Sequence, residues 1–141
     1  MLAANGILAP VVVLVAWSLV VWLWMYVTRI PAMYKMHMKL DANAPRGEQM
    51  NLLPASVRWK ADNYNHLMEQ PTIFYAIAMT LALLGQGDGI NCMLAWAYVG
   101  LRVLHSLVQG LFNKIELRFM LFLLSSLVLI GLTMNALAVI F

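Results

Sequence analysis

The sequence predicts an all-α membrane protein, a bundle of four transmembrane helices within a single domain that spans residues 1–141. Two observations support this fold class. First, 63% of the residues are hydrophobic and only 11% are charged, whereas soluble domains contain about 45–50% apolar and about 25% charged residues. Second, a transmembrane helix needs about 20 apolar residues, so 141 residues accommodate four spans with short connections. The composition therefore argues against a soluble enzyme, a disordered protein and a nucleic-acid-binding module.

The first span is predicted at residues 7–29. No ionisable side chain occurs between Met1 and Thr28, and this apolar stretch is long enough to cross the hydrocarbon core. Pro31 predicts a break or kink just after the span, because proline removes a backbone donor from the helix. The following residues, 30–55, form the only long polar connection.

The second span is predicted at residues 56–85. Its uninterrupted apolar part, Pro71 to Gly85, is too short to cross about 30 Å of hydrocarbon. The helix must therefore begin near residue 56 and carry charged and amide side chains into the bundle. The third span is predicted at residues 90–112 and the fourth at residues 114–140, with short turns before each.

Two polar residues are predicted to cap helices. Asp88 lies in the glycine-rich turn before the third span, and aspartate is a favoured N-cap residue. Asn113 precedes Glu116 by three residues at the beginning of the fourth span, a spacing that resembles a capping box.

The sequence predicts neither a disulfide nor a metal site. Cys92 is the single cysteine, so no disulfide can form within the chain. The 11 methionines show no paired spacing and are interpreted as core residues. No metal cofactor is therefore expected.

The net charge of +3 is interpreted mainly as an indication of how the chain is oriented in the membrane. The connection between spans one and two carries four basic residues, and the connection between spans three and four carries one: Arg29, Lys35, Lys39 and Arg46 in the first and Lys114 in the second. Cytoplasmic loops carry an excess of Lys and Arg. We therefore expect these two connections in the cytoplasm and both termini on the opposite side of the membrane.

Polar side chains form one stripe on the predicted second helix and another on the third. The stripes consist of Arg58, Asp62, Asn65 and Glu69 on the second helix, and of Arg102, His105 and Gln109 on the third. At 1.5 Å per residue, antiparallel helices bring Glu69 level with Arg102 and Asn65 level with His105. Ionisable groups in membrane helices usually face the bundle interior and mark function. The pattern predicts a Glu69–Arg102 ion pair and a cavity between the stripes.

A structural alternative is a polar core that only ties the helices together. The remaining polar residues of the second helix, Asn63, Tyr64 and His66, lie on other faces of the same turns. We expect these side chains to meet lipid headgroups or a neighbouring subunit.

These residues resemble the MAPEG family, the membrane-associated proteins in eicosanoid and glutathione metabolism, and specifically its bacterial members. The resemblance covers about residues 10–135. It rests on Arg58-x-x-Ala61-x-Asn63-x-Asn65-x-x-x-Glu69-x-Pro71 in span two, on Leu101-Arg102-Val103-Leu104-His105-Ser106 in span three, and on Arg118 at the start of span four. The spacing of Glu69, Arg102, His105 and Arg118 is similar to that of prostaglandin E synthase-type members.

The resemblance implies a homotrimer in a bacterial inner membrane, with glutathione as co-substrate between adjacent subunits near the cytoplasmic surface. It also implies that Arg118 stabilises the glutathione thiolate. A free thiol has a pKa of about 8.5 and is mostly protonated at neutral pH, and both a nearby cation and a helix N-terminus favour the thiolate. The candidate glutathione-binding residues are Glu69, His105, Asn65, Arg102, Asp62 and Arg58.

Four positions depart from the family pattern. Asp62 and Asn65 occur where the enzymes usually have arginine, and Gln109 occurs where tyrosine is common. Pro71 follows Glu69 by two residues, which is closer than usual. Two functions therefore stay open: a glutathione-dependent transferase or peroxidase acting on lipophilic electrophiles, and a non-catalytic membrane binding or assembly module. A small multidrug exporter fits the number of spans, but it would need a freely titrating carboxylate, and Glu69 has a predicted partner.

Overall fold

The computed structural model describes residues 6–141, so residues 1–5 of the predicted domain lie outside the described part of the chain. The prediction of an all-α, four-helix chain is confirmed. The helices are α1 (Leu8–Lys35), α2 (Ala55–Leu83), α3 (Ile90–Leu111) and α4 (Ile115–Ile140), and a short 3₁₀ helix, Met50–Leu52, precedes α2. The last three helices begin and end within two residues of the predicted spans, and the first extends further than expected.

The helix α1 passes through Pro31 and ends at Lys35, so the helix does not break at Pro31, one of the two outcomes predicted there. Proline removes only one hydrogen bond from a helix, and here the helix ends one turn later. His37 has a left-handed backbone (φ 48°). The N–H of His37 donates to Tyr34 O at 3.1 Å, and the N–H of Met38 donates to Met33 O at 3.2 Å. This pair of bonds is a Schellman motif, which satisfies the last carbonyls of the helix.

Both predicted caps are wrong. Gly89 precedes α3 and no side chain caps that helix; the Asp88 carboxylate instead accepts a hydrogen bond from the N–H of Gly6 at 2.8 Å. Asn113 has a left-handed backbone (φ 50°), and Lys114 is the N-cap of α4. Asparagine is favoured in this conformation at the end of a helix, so Asn113 terminates α3 rather than capping α4.

The helices α2 and α3 lie at the centre of the fold, because each of them packs against the other three helices. The aromatic rings of Phe74 and Tyr98 stack between α2 and α3 with their centroids 4.3 Å apart. The outer faces of α1 and α4 carry exposed apolar side chains such as Leu19, Val27 and Leu127. Among residues 6–141, α1 and α4 are the helices that are long and apolar enough to cross a membrane.

Gly110 fixes the distance between α1 and α3, and its replacement by alanine is expected to destabilise the fold. A Cβ atom at Gly110 would lie 2.8 Å and 2.9 Å from two ring atoms of Trp24. Overpacking of this kind costs about 1–3 kcal/mol, which offsets the better helix propensity of alanine, about 1 kcal/mol. Gly100→Ala is the matched control in the same helix, because no atom lies within 4 Å of its added Cβ. Thermal unfolding in one detergent should give a lower Tm for Gly110→Ala alone; equal Tm values would contradict this packing.

Candidate functional site

The stripe on α3 faces the interior of the bundle, as expected. Arg102 is 1% exposed, His105 is 2% exposed, and Gln109 is also buried. The polar stripe on α2, in contrast, does not face the interior of the bundle. Its four members, Arg58, Asp62, Asn65 and Glu69, are all exposed on the protomer surface. The predicted cavity between the two stripes is therefore absent from the described residues.

The orientation of α2 is set by its apolar residues. Leu67, Phe74, Ala78 and Leu81 are buried against the rest of the bundle. Towards the N-terminus of α2 this buried face continues through Asn63, which is fully buried. The expectation that Asn63 meets lipid headgroups or another subunit is wrong, because the same helix face that buries Leu67 also buries the residue one turn earlier.

His66, rather than Glu69, is the partner of Arg102. The Nη2 of Arg102 donates to the Nδ1 of His66 at 2.8 Å and to the backbone carbonyl of His66 at 3.1 Å. No ion pair within 4 Å joins Glu69 to Arg102 in the described part of the chain. The predicted Glu69–Arg102 pair is therefore wrong: the depth along α2 was nearly right, but Glu69 lies on a different face.

The bond to Arg102 fixes the tautomer of His66. A guanidinium group donates hydrogen bonds and cannot accept them, so Nδ1 of His66 must be the acceptor. The ring is then neutral and carries its proton on Nε2. The ring of His105 stacks on that of His66, with centroids 4.6 Å apart and an interplanar angle of 21°. Asn65, predicted to lie level with His105, is exposed and takes no part in this stack.

A cavity of about 220 Å³ opens beside the two histidines. It is lined by His66, His105, Ile115, Arg118, Phe119 and Phe122, from α2, α3 and the beginning of α4. The guanidinium of Arg118 is half-buried and donates from Nη1 to the Asn113 side chain, while its Nε has no partner in the described residues. The lining residues supply N–H donors and apolar surface, and none of them is a carboxylate. Such a cavity is suited to a small anionic group next to an apolar one.

Of the predicted site residues, the structure brings together His105 and Arg118, with Arg102 behind His66. Arg58, Asp62, Asn65 and Glu69 do not line the cavity. Sequence reasoning placed His66 at the periphery. His66, Gln70 and Phe74 follow one another at steps of four residues, and residues at this spacing lie on the same face of a helix. This spacing could have identified His66 as an interior residue.

A second group of polar side chains links three helices away from the cavity. The hydroxyl of Tyr98 donates to Oε1 of Gln70 at 3.2 Å, and Nε2 of Gln70 donates to Oγ of Ser126 at 2.8 Å. These bonds join α3, α2 and α4. This part of the interior fits the alternative of a structural polar core.

Comparison with known proteins agrees with this arrangement. The sequence model of the MAPEG family matches residues 7–138, from the beginning of α1 to the last turn of α4. No curated protein and no solved structure matches the chain. The match covers nearly all of the described residues, and four helices around a polar interior are consistent with it. The chain belongs to the MAPEG family, a family of glutathione-related membrane enzymes with a four-helix fold.

Proposed function

We propose that the protein is a membrane glutathione transferase or peroxidase that acts on lipophilic electrophiles. The observation that carries the proposal is the set of groups around the cavity between α2, α3 and α4. One guanidinium, that of Arg118, and the imidazoles of His66 and His105 line it together with apolar side chains. An anionic sulfur atom is the part of glutathione that these groups fit best.

Arg118 is proposed to hold the thiol of glutathione as the thiolate. The residue lies in the first turn of α4, where the helix dipole adds a partial positive charge. A cation and a helix N-terminus both lower the pKa of a thiol. The thiol proton leaves to water, and the sulfur then forms a bond to the electrophilic carbon of the second substrate as its leaving group departs.

Arg102 and His66 are proposed to act together, with Arg102 as the positioning residue. Because Arg102 occupies Nδ1 of His66, Nε2 carries the proton and is the free donor of that ring. His66 lines the cavity and can direct this N–H towards an anionic ligand. His105 supports the orientation of His66 by ring stacking.

We infer that the working form is a homotrimer. Charged side chains at membrane depth are costly when they face lipid, and Asp62 and Glu69 of α2 are exposed on the single protomer. A second copy of the chain would cover them. Ligand pockets usually have about 300–1,000 Å³, so the cavity of one protomer, about 220 Å³, accommodates only part of a tripeptide. The polar ends of glutathione would then reach the α2 stripe.

The location proposed for this assembly is a bacterial inner membrane, with both termini on the non-cytoplasmic side. The cavity lies at the end of the bundle where α4 begins and next to the basic connections. Glutathione would enter from the cytoplasm, and the lipophilic substrate from the bilayer. The alternative, a non-catalytic binding or assembly module, is favoured by Asp62 and Asn65, which replace the arginines usual in the enzymes.

A turnover assay distinguishes these functions. The detergent-purified protein is mixed with glutathione and, in separate reactions, an aryl halide or a lipid hydroperoxide, at matched concentrations. We expect formation of the thioether or of oxidised glutathione above the rate without protein, and saturation with glutathione. Rates equal to the protein-free reaction with every substrate, from a protein that still unfolds cooperatively, would overturn the enzyme proposal and leave the non-catalytic one.

A further inference from the structure

Two methionines and a histidine line one cavity at the end of α1. The cavity has a volume of about 480 Å³, and the residues around it are Ile30, Met33, Tyr34, His37, Met38 and Leu40. Three of these residues carry groups that bind soft metal ions, the thioethers of Met33 and Met38 and the imidazole of His37. The cavity shares no residue with the one beside His66 and Arg118, so the proposed glutathione chemistry does not account for it.

The chain reversal after α1 brings the three residues together. Met33 and His37 are four residues apart, and residues at this spacing are neighbours on the surface of a helix. The Schellman motif then folds the chain back, and the N–H of Met38 donates to the carbonyl of Met33 at 3.2 Å. Spacing along the sequence does not reveal this pair of methionines, because the turn rather than a helical repeat creates it.

The turn itself does not require an imidazole at residue 37. The backbone of His37 is left-handed (φ 48°), and glycine or asparagine is the usual residue at this position of the motif. A residue with a Cβ atom adopts this conformation at a higher cost than glycine does. Within residues 6–141, no hydrogen bond or ion pair involves the ring nitrogens of His37. The neutral ring therefore has an acceptor nitrogen available to a ligand.

Hydrogen bonds hold the chain on both sides of the reversal. Before it, the N–H of Met36 donates to the carbonyl of Ala32 at 3.1 Å. After it, Nε2 of Gln49 donates to the carbonyl of Lys39 at 2.7 Å, and Oε1 of Gln49 accepts from the N–H of Asp41 at 3.0 Å. A site whose backbone is already fixed loses less conformational freedom when a ligand binds.

The groups around the cavity favour a soft monovalent cation. No carboxylate or thiolate lines it, and no group of three or more His, Cys, Asp or Glu in the described part of the chain could hold a metal ion. Zn²⁺ takes cysteine, histidine and carboxylate ligands, and Ca²⁺ and Mg²⁺ take oxygen ligands, whereas thioether sulfur selects Cu(I). Lys35 and Lys39 are exposed on either side of His37, and their repulsion is greater for a divalent than for a monovalent ion.

We propose that this cavity binds one Cu(I) ion. Its ligands are the Sδ atoms of Met33 and Met38 and one ring nitrogen of His37. Ile30 and Leu40 supply an apolar wall, and such a wall limits the access of water to a bound metal. Binding involves no change in the oxidation state of the ion. The proposal does not depend on glutathione, and it stands or falls separately from the proposed enzyme function.

Anaerobic titration with Cu(I), in competition with a chromophoric Cu(I) chelator, tests the proposal on the untagged, detergent-purified protein. Glutathione is left out because its thiol is also a soft ligand, and every protein carries Cys92→Ser for the same reason. We expect one Cu(I) per chain. Ag(I), in chloride-free buffer, should bind with the same stoichiometry, and Zn²⁺ at the same concentration should not be retained.

Single substitutions in this background identify the ligands. Met33→Leu, Met38→Leu and His37→Asn should each weaken Cu(I) binding by at least about tenfold, the lower end of the loss found even for groups that only support a metal ligand. Asparagine tolerates the left-handed backbone at residue 37, so this variant keeps the turn. Met36→Leu is the matched control, because Met36 is an exposed thioether of the same segment that does not line the cavity. It should bind Cu(I) as tightly as its parent.

X-ray absorption at the copper edge gives a second readout that needs no ligand variant. The bound ion should show sulfur and nitrogen neighbours together. Zn²⁺ binding as tight as that of Cu(I), a copper spectrum without sulfur neighbours, or undiminished Cu(I) binding by all three ligand variants would each overturn the proposal. Equal losses in Met36→Leu and Met33→Leu would overturn it as well, because binding would then not depend on the cavity.

Discussion

Replacing Arg118 by leucine is expected to lower kcat/KM for glutathione conjugation by about 10²–10³-fold, the usual cost of removing one group that stabilises a developing or fixed anion in an active site. The ultraviolet absorbance of bound thiolate should disappear with the activity. The helix should persist, since Arg118 is only half-buried and its bond to Asn113 closes a surface turn.

Two variants control for charge and for fold. Arg118→Lys keeps the cation but loses the planar fork, and should retain part of the thiolate signal. Lys114→Leu removes a cation four residues earlier that does not line the cavity, and should behave as the wild type. A full thiolate signal and full turnover in Arg118→Leu would show that another group holds the sulfur.

Replacing His66 by leucine is expected to cost about 3 kcal/mol of stability, the lower end of the range for removing one partner of a buried charge. The guanidinium of Arg102 would keep its bond to the backbone carbonyl of residue 66 and lose its bond to the ring. Arg102→Met alone should also destabilise. The double variant His66→Leu/Arg102→Met should lose less stability than the sum of the two single losses, by about 1 kcal/mol or more.

A double-mutant cycle in which Glu69 takes the place of His66 is the control for this prediction. Glu69 and Arg102 form no ion pair in the described residues, so the coupling of Glu69→Leu with Arg102→Met should be weaker than that of His66→Leu with Arg102→Met. Thermal or denaturant unfolding in one detergent measures both cycles. Strong coupling of Glu69 with Arg102, together with additive effects of His66 and Arg102, would contradict the orientation of α2.

The sequence predicted the last three helices well, because their bounds follow from hydropathy and from helix-breaking turns. It also placed Arg102 and His105 in the interior, since α3 has one polar face. The orientation of α2 was harder, because its N-terminal half carries polar side chains on two faces. The rule that charged groups face the interior of a membrane protein assigned Glu69 to the protomer core; an oligomer would offer such a residue a second polar environment.

Only part of the candidate site was predicted from the sequence, again because the orientation of α2 was not known. His105 was found through the polar stripe on α3, and Arg118 was assigned its role through the family resemblance, which depends on motif spacing. His66 was not, because its role depends on which face of α2 meets Arg102. Asn113 was misplaced because asparagine stabilises both the beginning and the end of a helix, and the sequence does not show that φ is positive at that residue.

The most direct test of the proposed thiolate site is calorimetry of glutathione binding in two buffers that differ in ionisation enthalpy. At neutral pH free glutathione is mostly a thiol, so binding as the thiolate releases a proton to the buffer. We expect saturable binding at one to three sites per trimer, with close to one proton released per glutathione. S-methylglutathione, which has no thiol proton, should release none. Binding without proton release, or no binding at millimolar glutathione, would contradict the thiolate site.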